Sequence, residues 1–153
     1  MAPVITIEPV TAAHVLELSR AMRPEGIAEL AACGVEPLAA LDSSVRMSIA
    51  AWAALADGKV AAIYGVVPFE QPGQGCVWMI SGSVFVTYAR HFVKIAPAVL
   101  DTLLEQVGEL INFVDARYGA ALRFVRWLGF DIGPAEPRGP HGLLFHPVVV
   151  RRG

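Results

Sequence analysis

The chain has 153 residues, of which 55% are hydrophobic and only 17% charged, and its net charge is −2. This length is typical of one domain that buries its own core without disulfides or metals, so we predict a single domain over residues 1–153. The weak negative charge excludes the strongly basic footprint of most nucleic-acid-binding domains. The mean hydropathy of +0.53 has two explanations: a partner, such as another copy of the chain, covers part of the surface, or many small alanines raise the value without forming sticky patches.

The sequence predicts neither a membrane span nor a secretion signal. The longest apolar run, residues 48–67, is interrupted by Asp57-Gly58-Lys59, whereas a span needs about 20 residues with few charges. The N-terminus lacks the basic and apolar regions of a signal peptide. Cys33 and Cys76 are single and far apart, which favours a reduced, cytosolic protein without a disulfide framework.

The N-terminal part of the chain predicts one strand followed by helices. Residues 4–7 are β-branched and favour a strand. Thr11 is a suitable N-cap for a helix, and this helix ends before Pro24 because proline disfavours helix in the residue before it. The apolar positions on one face of the helix are Val15, Leu18 and Met22. Two more helical segments are predicted over residues 25–32, with Gly34 as the C′ residue, and 37–45.

The middle of the chain predicts a β-hairpin and a third strand. Asp57-Gly58 separates two apolar runs, residues 49–55 and 60–67, and this arrangement is the strongest short-range hairpin signal. Residues 70–75 have turn chemistry throughout, which predicts a second hairpin loop. A strand over residues 76–80 follows.

The C-terminal part predicts a long helix, a strand, a short helix and a last strand. Residues 88–110 have helical periodicity, with Pro97 as a break or a new start. Residues 111–114 predict a buried strand. An amphipathic helix then closes at Gly129; its apolar positions are Ala121, Phe124, Val125 and Leu128. A loop over residues 133–142 precedes a final strand through residues 148–150.

The order β-α-α-β-β-β-α-β-α-β resembles that of the GNAT (N-acetyltransferase) fold. The most specific local match is residues 110–130, in which Ala121 and Leu128-Gly129-Phe130 fall at the spacing that GNAT enzymes show. The resemblance implies an α+β fold with a mixed, mostly antiparallel central sheet flanked by helices. It also implies that the end of the strand at residues 111–114 and the start of the following helix flank an acyl-CoA cleft.

Other segments resemble, more closely, the GNAT-like family encoded by short-tailed bacteriophages, which includes small internal virion proteins. These segments are residues 22–25, residues 32–37 with Ser43-Ser44, and residues 112–117 through 128–130. The Gly-Pro-rich loop before the last strand fits as well. The resemblance implies a phage-encoded protein whose partners are itself and other virion proteins, located in the host cytoplasm during assembly or in the virion.

The chain departs from the pattern of active GNAT enzymes at three places. Those enzymes carry a Gln/Arg-x-x-Gly-x-Gly/Ala loop after the fourth strand, whose backbone N–H groups hold the pyrophosphate of acetyl-CoA. Here that strand is followed by Ser81-Gly82-Ser83 and no such loop. The Asn expected before the last helix is Tyr118. The Tyr that often serves as general acid is Val125, which cannot return a proton to the leaving thiolate.

A few side chains remain candidates for acetyl transfer. Glu70 and Asp115 are carboxylates near predicted strand ends that could act as a base, and neither has a recognisable partner. Tyr118 could act as the acid from its own position, or it packs at the strand–helix junction. Arg90, His91 and Lys94 cluster at the start of the long helix, where they bind the phosphates of acetyl-CoA or CoA, or form a solvated first turn. Arg117, Arg123 and Arg126 are interpreted as a solvated helix face.

Other chemistries are not predicted. The histidines, which have no metal-ligand spacing, are His14, His91, His141 and His146. The main hypothesis is therefore a non-catalytic virion or assembly protein with the GNAT fold. The alternative is an acyl-CoA-dependent N-acetyltransferase acting on an unknown amine, and a third option is a pseudoenzyme that binds the cofactor without turnover.

Overall fold

The computed structural model describes residues 2–24, 27–28, 31 and 34–152. The elements with defined bounds are β1 (Ile5–Pro9), α1 (Ala12–Ser19), α2 (Pro37–Met47), β2 (Ala50–Ala56), β3 (Lys59–Pro68), β4 (Gln74–Ser81), α3 (Ser83–Thr87), α4 (Ala89–Gln106), β5 (Glu109–Asp115), α5 (Gly119–Leu128), β6 (Asp131–Ile132), β7 (Glu136–Arg138) and β8 (Leu143–Arg151). Their mixed, mostly antiparallel pairing confirms the predicted α+β class. Most of the helix predicted over residues 25–32, and Cys33, lie outside the described residues.

The chain divides into two compact units. Unit 1 comprises Met1–Val67 and Trp78–Ile95, and unit 2 comprises Pro68–Val77 and Ala96–Gly153. The single domain predicted over residues 1–153 stays a prediction. No described helix is both long and apolar enough to cross a membrane.

Unit 1 contains the predicted hairpin. β1 pairs antiparallel with β2, and β2 pairs antiparallel with β3. Asp57 and Gly58 have φ angles of 50° and 78°, and two consecutive positive φ angles are the signature of the type I′ turn that Asp-Gly predicts. The hairpin prediction is thus confirmed, with its strands starting and ending within one residue of the predicted bounds.

Helix α1 begins where its cap predicts. The Thr11 Oγ1 accepts the backbone N–H of His14 at 3.2 Å, while the Thr11 N–H donates to His14 Nδ1 at 3.0 Å. This reciprocal pair satisfies two N–H groups that a helix start leaves without partners. α1 packs against α2. Its apolar face joins the core of unit 1, which consists of Val15, Leu18, Met22, Leu41, Ala53, Leu55, Val60 and Ile63.

Unit 2 is built around β8. β5 pairs antiparallel with β8, and β6 and β7 also pair with β8. The prediction of a loop over residues 133–142 is wrong, because β7 lies within it. Residues 136–138 of this proline-rich segment pair with residues 143–145 of β8. The two strands are joined by a tight turn in which Gly139 and Gly142 have positive φ.

The long helix begins within one residue of its predicted start but ends earlier than predicted. A separate short helix, α3, precedes it, and it ends at Gln106 instead of continuing to Leu110. Leu110 lies in β5 and is fully buried. Its apolar side chain fits the helical stripe and the strand equally well, so periodicity alone could not separate them. Pro97 lies inside α4 without ending it.

β4 and β5 are the one parallel pair among the described strand registers. Gln74, Gly75 and Cys76 align with Glu109, Leu110 and Ile111. Gln74 and Gly75, predicted as part of a loop, are therefore strand residues. The Gln74 Nε2 donates to Glu109 Oε1 at 2.7 Å, and this bond joins the beginnings of the two strands.

Candidate functional site

The segment that follows β4 is where the GNAT resemblance places a phosphate-binding loop. Instead, the chain there enters α3 directly. The backbone N–H of Gly82 donates to the Ala61 carbonyl at 2.9 Å, and that of Ser83 donates to the Ala21 carbonyl at 3.1 Å. Two of the N–H groups at this junction are therefore already bonded to protein.

Three N–H groups further along are bonded as well. Those of Phe85, Tyr88 and His91 donate to the carbonyls of Gly82, Val84 and Tyr88, at 3.1, 3.2 and 2.9 Å. A pyrophosphate would have to replace these helical bonds to be held by the same groups. The backbone of this segment thus does not fit the pyrophosphate of acetyl-CoA in the way that the family loop does.

Gly82 is required by a close approach of two backbone segments. Its φ of −118° is open to any residue, so backbone strain is not the reason for glycine. A Cβ at this position would lie 2.5 Å from the Ala21 carbonyl oxygen and 3.0 Å from Leu18 Cδ1. The glycine lets the start of α3 lie directly on the end of α1.

The three cationic candidates on α4 do not share one environment. Arg90 and Lys94 are exposed and lie one turn apart on the helix, so they are neighbours on its surface. His91 is half-buried, with its ring 6.3 Å from that of Tyr88. Arg90 and Lys94 are therefore free to meet a solvent-borne anion, whereas His91 packs within its own helix start.

Asp115 is buried and firmly paired, contrary to the expectation that it has no partner. Its Oδ2 accepts the Arg117 Nη2–H at 2.7 Å, and its Oδ1 accepts both the Nε–H at 3.0 Å and the backbone N–H at 2.9 Å of the same residue. Hydrogen bonds from Arg117 hold the pKa of Asp115 below its usual value. A carboxylate held in this way is a poor general base, because its paired, ionised form is stabilised against protonation.

The other two catalytic candidates are exposed. Tyr118 is the N-cap residue of α5, makes no side-chain cap bond, and has 54% of its surface exposed. Its ring centroid lies 6.0 Å from the Arg117 guanidinium carbon. Glu70 is an exposed residue after β3. Among the described contacts, none joins Glu70 to Asp115 or Tyr118, so the structure does not bring the three together as an acid–base group.

Two features of unit 2 were missed by the sequence analysis. The Arg138 guanidinium lies 3.5 Å from the Phe113 ring centroid and also pairs with Glu136 at 3.3 Å. Burial raises the pKa of the nearby Cys76 thiol, and the positive charge of Arg138 partly offsets this effect. No sequence motif predicts that Arg138 lies beside Phe113, some 25 residues earlier in the chain. The two residues meet because β7 pairs with β8 and β8 pairs with β5.

The second missed residue is His146. Its Nδ1 lies 2.8 Å from the Gly133 carbonyl oxygen. A carbonyl only accepts, so Nδ1 carries the proton and Nε2 is left as the acceptor in the neutral ring. In the described part of the chain, no group of three or more His, Cys, Asp and Glu side chains is arranged to hold a metal ion.

A shallow cavity of about 200 Å³ lies in unit 1 beside the hairpin turn. Its lining residues are Ala56, Asp57, Lys59, Ser83, Val84, Thr87 and Tyr88. Small-molecule sites commonly have volumes of about 300–1,000 Å³, so this cavity is smaller than a usual cofactor site. None of the predicted site residues lines it.

Comparison with known proteins identifies the fold of the chain. No protein-family model and no curated protein sequence matches the chain. An acetyltransferase of the GNAT family from Bacillus anthracis superposes with a TM-score of 0.73 at 7% identity, over 99% of this chain and 96% of that one. A chimeric spermidine N-acetyltransferase of Vibrio cholerae gives 0.71 at 8% identity, over 96% and 95%.

A third neighbour, AAC(6')-Ib, was solved in complex with ribostamycin and coenzyme A. It superposes with a TM-score of 0.71 at 15% identity, over 97% of this chain and 93% of that one. Such likenesses span nearly the whole of each chain, while the identities are too low to carry activity across. The chain therefore has the fold of the GNAT acetyltransferases.

Proposed function

We propose that this chain is a GNAT-fold protein that acts through contacts with other proteins and does not transfer acetyl groups. The observation that carries the proposal is the hydrogen bonding after β4. The N–H groups of Gly82, Ser83 and Tyr88 donate to protein carbonyls, so a pyrophosphate would have to break backbone bonds to bind there. The pyrophosphate would give these N–H groups a new acceptor, but it would leave the carbonyl of the fully buried Ala61 without its donor. A buried polar group that loses its partner costs about 1–3 kcal/mol, which opposes cofactor binding at this place.

The proposed setting is the assembly of a short-tailed bacteriophage, with the chain itself and other virion proteins as partners. The support for this setting is the sequence resemblance of residues 22–25, 32–37 and 112–130. The high apolar fraction of the chain fits a surface that a partner covers. Sedimentation of the protein with purified particles supports the setting, and a monomer that never occurs in particles contradicts it.

A second candidate is an acyl-CoA-dependent N-acetyltransferase, and the structural comparisons favour it over the virion role. Two of the neighbours described above are named as acetyltransferases, and the third was solved in complex with coenzyme A. Arg90 and Lys94 are exposed on one face of α4, and two cations one turn apart would attract the phosphates of acetyl-CoA. On this reading those side chains, and not the backbone, hold the phosphates.

Calorimetric titration of the full chain with acetyl-CoA and with CoA separates the candidates. The interaction role predicts no binding at millimolar ligand. Micromolar binding that is lost in the double variant Arg90→Ala, Lys94→Ala, and kept in the control variant Arg46→Ala, would overturn it in favour of a cofactor site. Arg46 is a suitable control because it is an exposed arginine whose ion pair with Asp42 lies within α2.

If CoA binds, a thiol-release assay with small amines distinguishes the remaining two options. Thiol release establishes the transferase. Binding without release identifies a pseudoenzyme that has kept the ligand and lost the chemistry, which is the outcome that the replacement of the expected general acid by Val125 predicts.

A further inference from the structure

Helix α5 presents two aromatic rings to solvent. Trp127 has 59% and Phe124 36% of its surface exposed, and the two rings stack with centroids 6.1 Å apart and an interplanar angle of 25°. None of the ten residues of α5 is buried. A tryptophan exposed to this degree on a regular helix leaves a large apolar surface in water, which marks a binding surface more often than an isolated exposed leucine does.

The same surface is positively charged. Arg123 and Arg126 are exposed on the same helix, and Arg123 lies one turn before Trp127. From Ala116 to Phe130 the sequence contains three arginines and no carboxylate. The third, Arg117, is neutralised by Asp115. We call the exposed side chains of Arg123, Phe124, Arg126 and Trp127 the α5 outer face.

We propose that the α5 outer face binds single-stranded nucleic acid. Such a strand offers both features that complement this face: phosphates for the two guanidinium groups, and flat bases that stack on exposed aromatic rings. Arginine contributes to both, because its planar guanidinium pairs with phosphate and stacks on bases.

Two other occupants fit less well. A second copy of the chain related by a two-fold axis would bring Arg123 and Arg126 towards their own equivalents, and like charges at the centre of a contact repel. An acidic peptide would satisfy the two charges, but its carboxylates offer nothing that stacks on Phe124 and Trp127. The nucleic acid uses all four side chains.

The overall charge of the chain gives no nucleic-acid signal, and this limits the affinity that we expect. A net charge of −2 gives no long-range attraction, so binding depends on the local face. Two phosphate contacts predict a slope of about −1.4 for log K against log salt, since each contact contributes about −0.7 for single strands. The inference is independent of the proposed role in assembly.

The test is fluorescence anisotropy of a labelled oligothymidylate titrated with the full chain at several low salt concentrations. We expect Trp127→Ala to weaken binding by about tenfold or more, which is the usual effect of removing one stacking ring. We expect Arg123→Ala with Arg126→Ala to bring the salt slope close to zero. Because these side chains are exposed, the variants should fold, and circular dichroism checks this.

Two matched controls are available on α2. Met47 is 67% exposed, so Met47→Ala removes an exposed apolar side chain elsewhere, and Arg46→Ala removes an exposed arginine. Both should bind as the unmodified chain does. The proposal is overturned if the oligonucleotide does not bind, if Trp127→Ala and Met47→Ala bind equally well, or if polyglutamate competes as strongly as unlabelled oligonucleotide. Loss of self-association in Trp127→Ala without any oligonucleotide binding would assign the face to a second copy instead.

Discussion

Replacing Gly82 by alanine tests the close approach of α3 to α1. The added Cβ would lie 2.5 Å from the Ala21 carbonyl oxygen and 3.0 Å from Leu18 Cδ1. The leucine tip can move, but the carbonyl is backbone and accepts the Ser83 N–H at 3.1 Å. Relief of the clash must therefore lengthen or break that bond.

Overpacking of this kind costs about 1–3 kcal/mol of unfolding free energy. For a chain of this size, each kcal/mol lowers the melting temperature by about 2–4 °C, so a loss of 2 kcal/mol corresponds to about 4–8 °C. Urea denaturation followed by circular dichroism measures the free energy, and a thermal scan measures the shift. The slope of the urea transition should not change, because the unfolded state is the same.

Gly108→Ala is the matched control. The nearest atom to a Cβ at that position is 3.9 Å away, which is ordinary contact, so this variant should be neutral or slightly more stable through the unfolded state. The reasoning about Gly82 is refuted if the two variants have the same unfolding free energy.

Three further predictions concern the core and the titrating groups. Leu41 is fully buried in the core of unit 1, so Leu41→Ala should lower the unfolding free energy by about 2–5 kcal/mol in urea; a loss below 1 kcal/mol contradicts the assigned packing. The lowered pKa of Asp115 means that its stabilising pair with Arg117 is complete above the unfolded carboxyl's pKa of about 4 and is lost as the pH falls through the lower folded value. The stability difference between the unmodified chain and Asp115→Asn should then shrink from pH 7 to pH 3, and a constant difference would exclude the pair as its source. Burial raises the pKa of Tyr64 to about 12, so the neutral phenol is favoured in the folded state and stability falls between pH 10 and 12; Tyr64→Phe should flatten this fall, and identical alkaline profiles would count against it.

The candidate site was predicted unevenly from the sequence. The absence of the phosphate-binding motif could be read directly from the sequence, since that motif occupies consecutive residues after the fourth strand. The partner of Asp115 was missed although Arg117 is only two residues away, because the strand pattern says nothing about whether a side chain folds back on its own chain. The exposure of Tyr118 and Glu70 also depends on what the rest of the chain covers, which no local pattern records.

The sequence by itself determined the features that depend on a few neighbouring residues. Thr11 starts α1 because its own hydroxyl bonds an N–H three residues ahead, and Asp57-Gly58 makes the hairpin because those residues tolerate positive φ. Gly129 ends α5 in the left-handed conformation, with a φ of 102°, for the same reason. In each case the interactions that decide the conformation lie within one turn of the chain.

Only the tertiary structure decided the rest. Leu110 is a strand residue because β5 pairs with β4 and β8. Part of the segment predicted as a Pro-rich loop forms β7 because it pairs with β8. Arg138 reached Phe113 through the same pairing. The exposure of Trp127, and of Phe124 on the predicted apolar face of the same helix, likewise depends on what packs around it. Contacts between residues distant in sequence set these outcomes, and helical or strand periodicity describes which residues share a face without saying what that face meets.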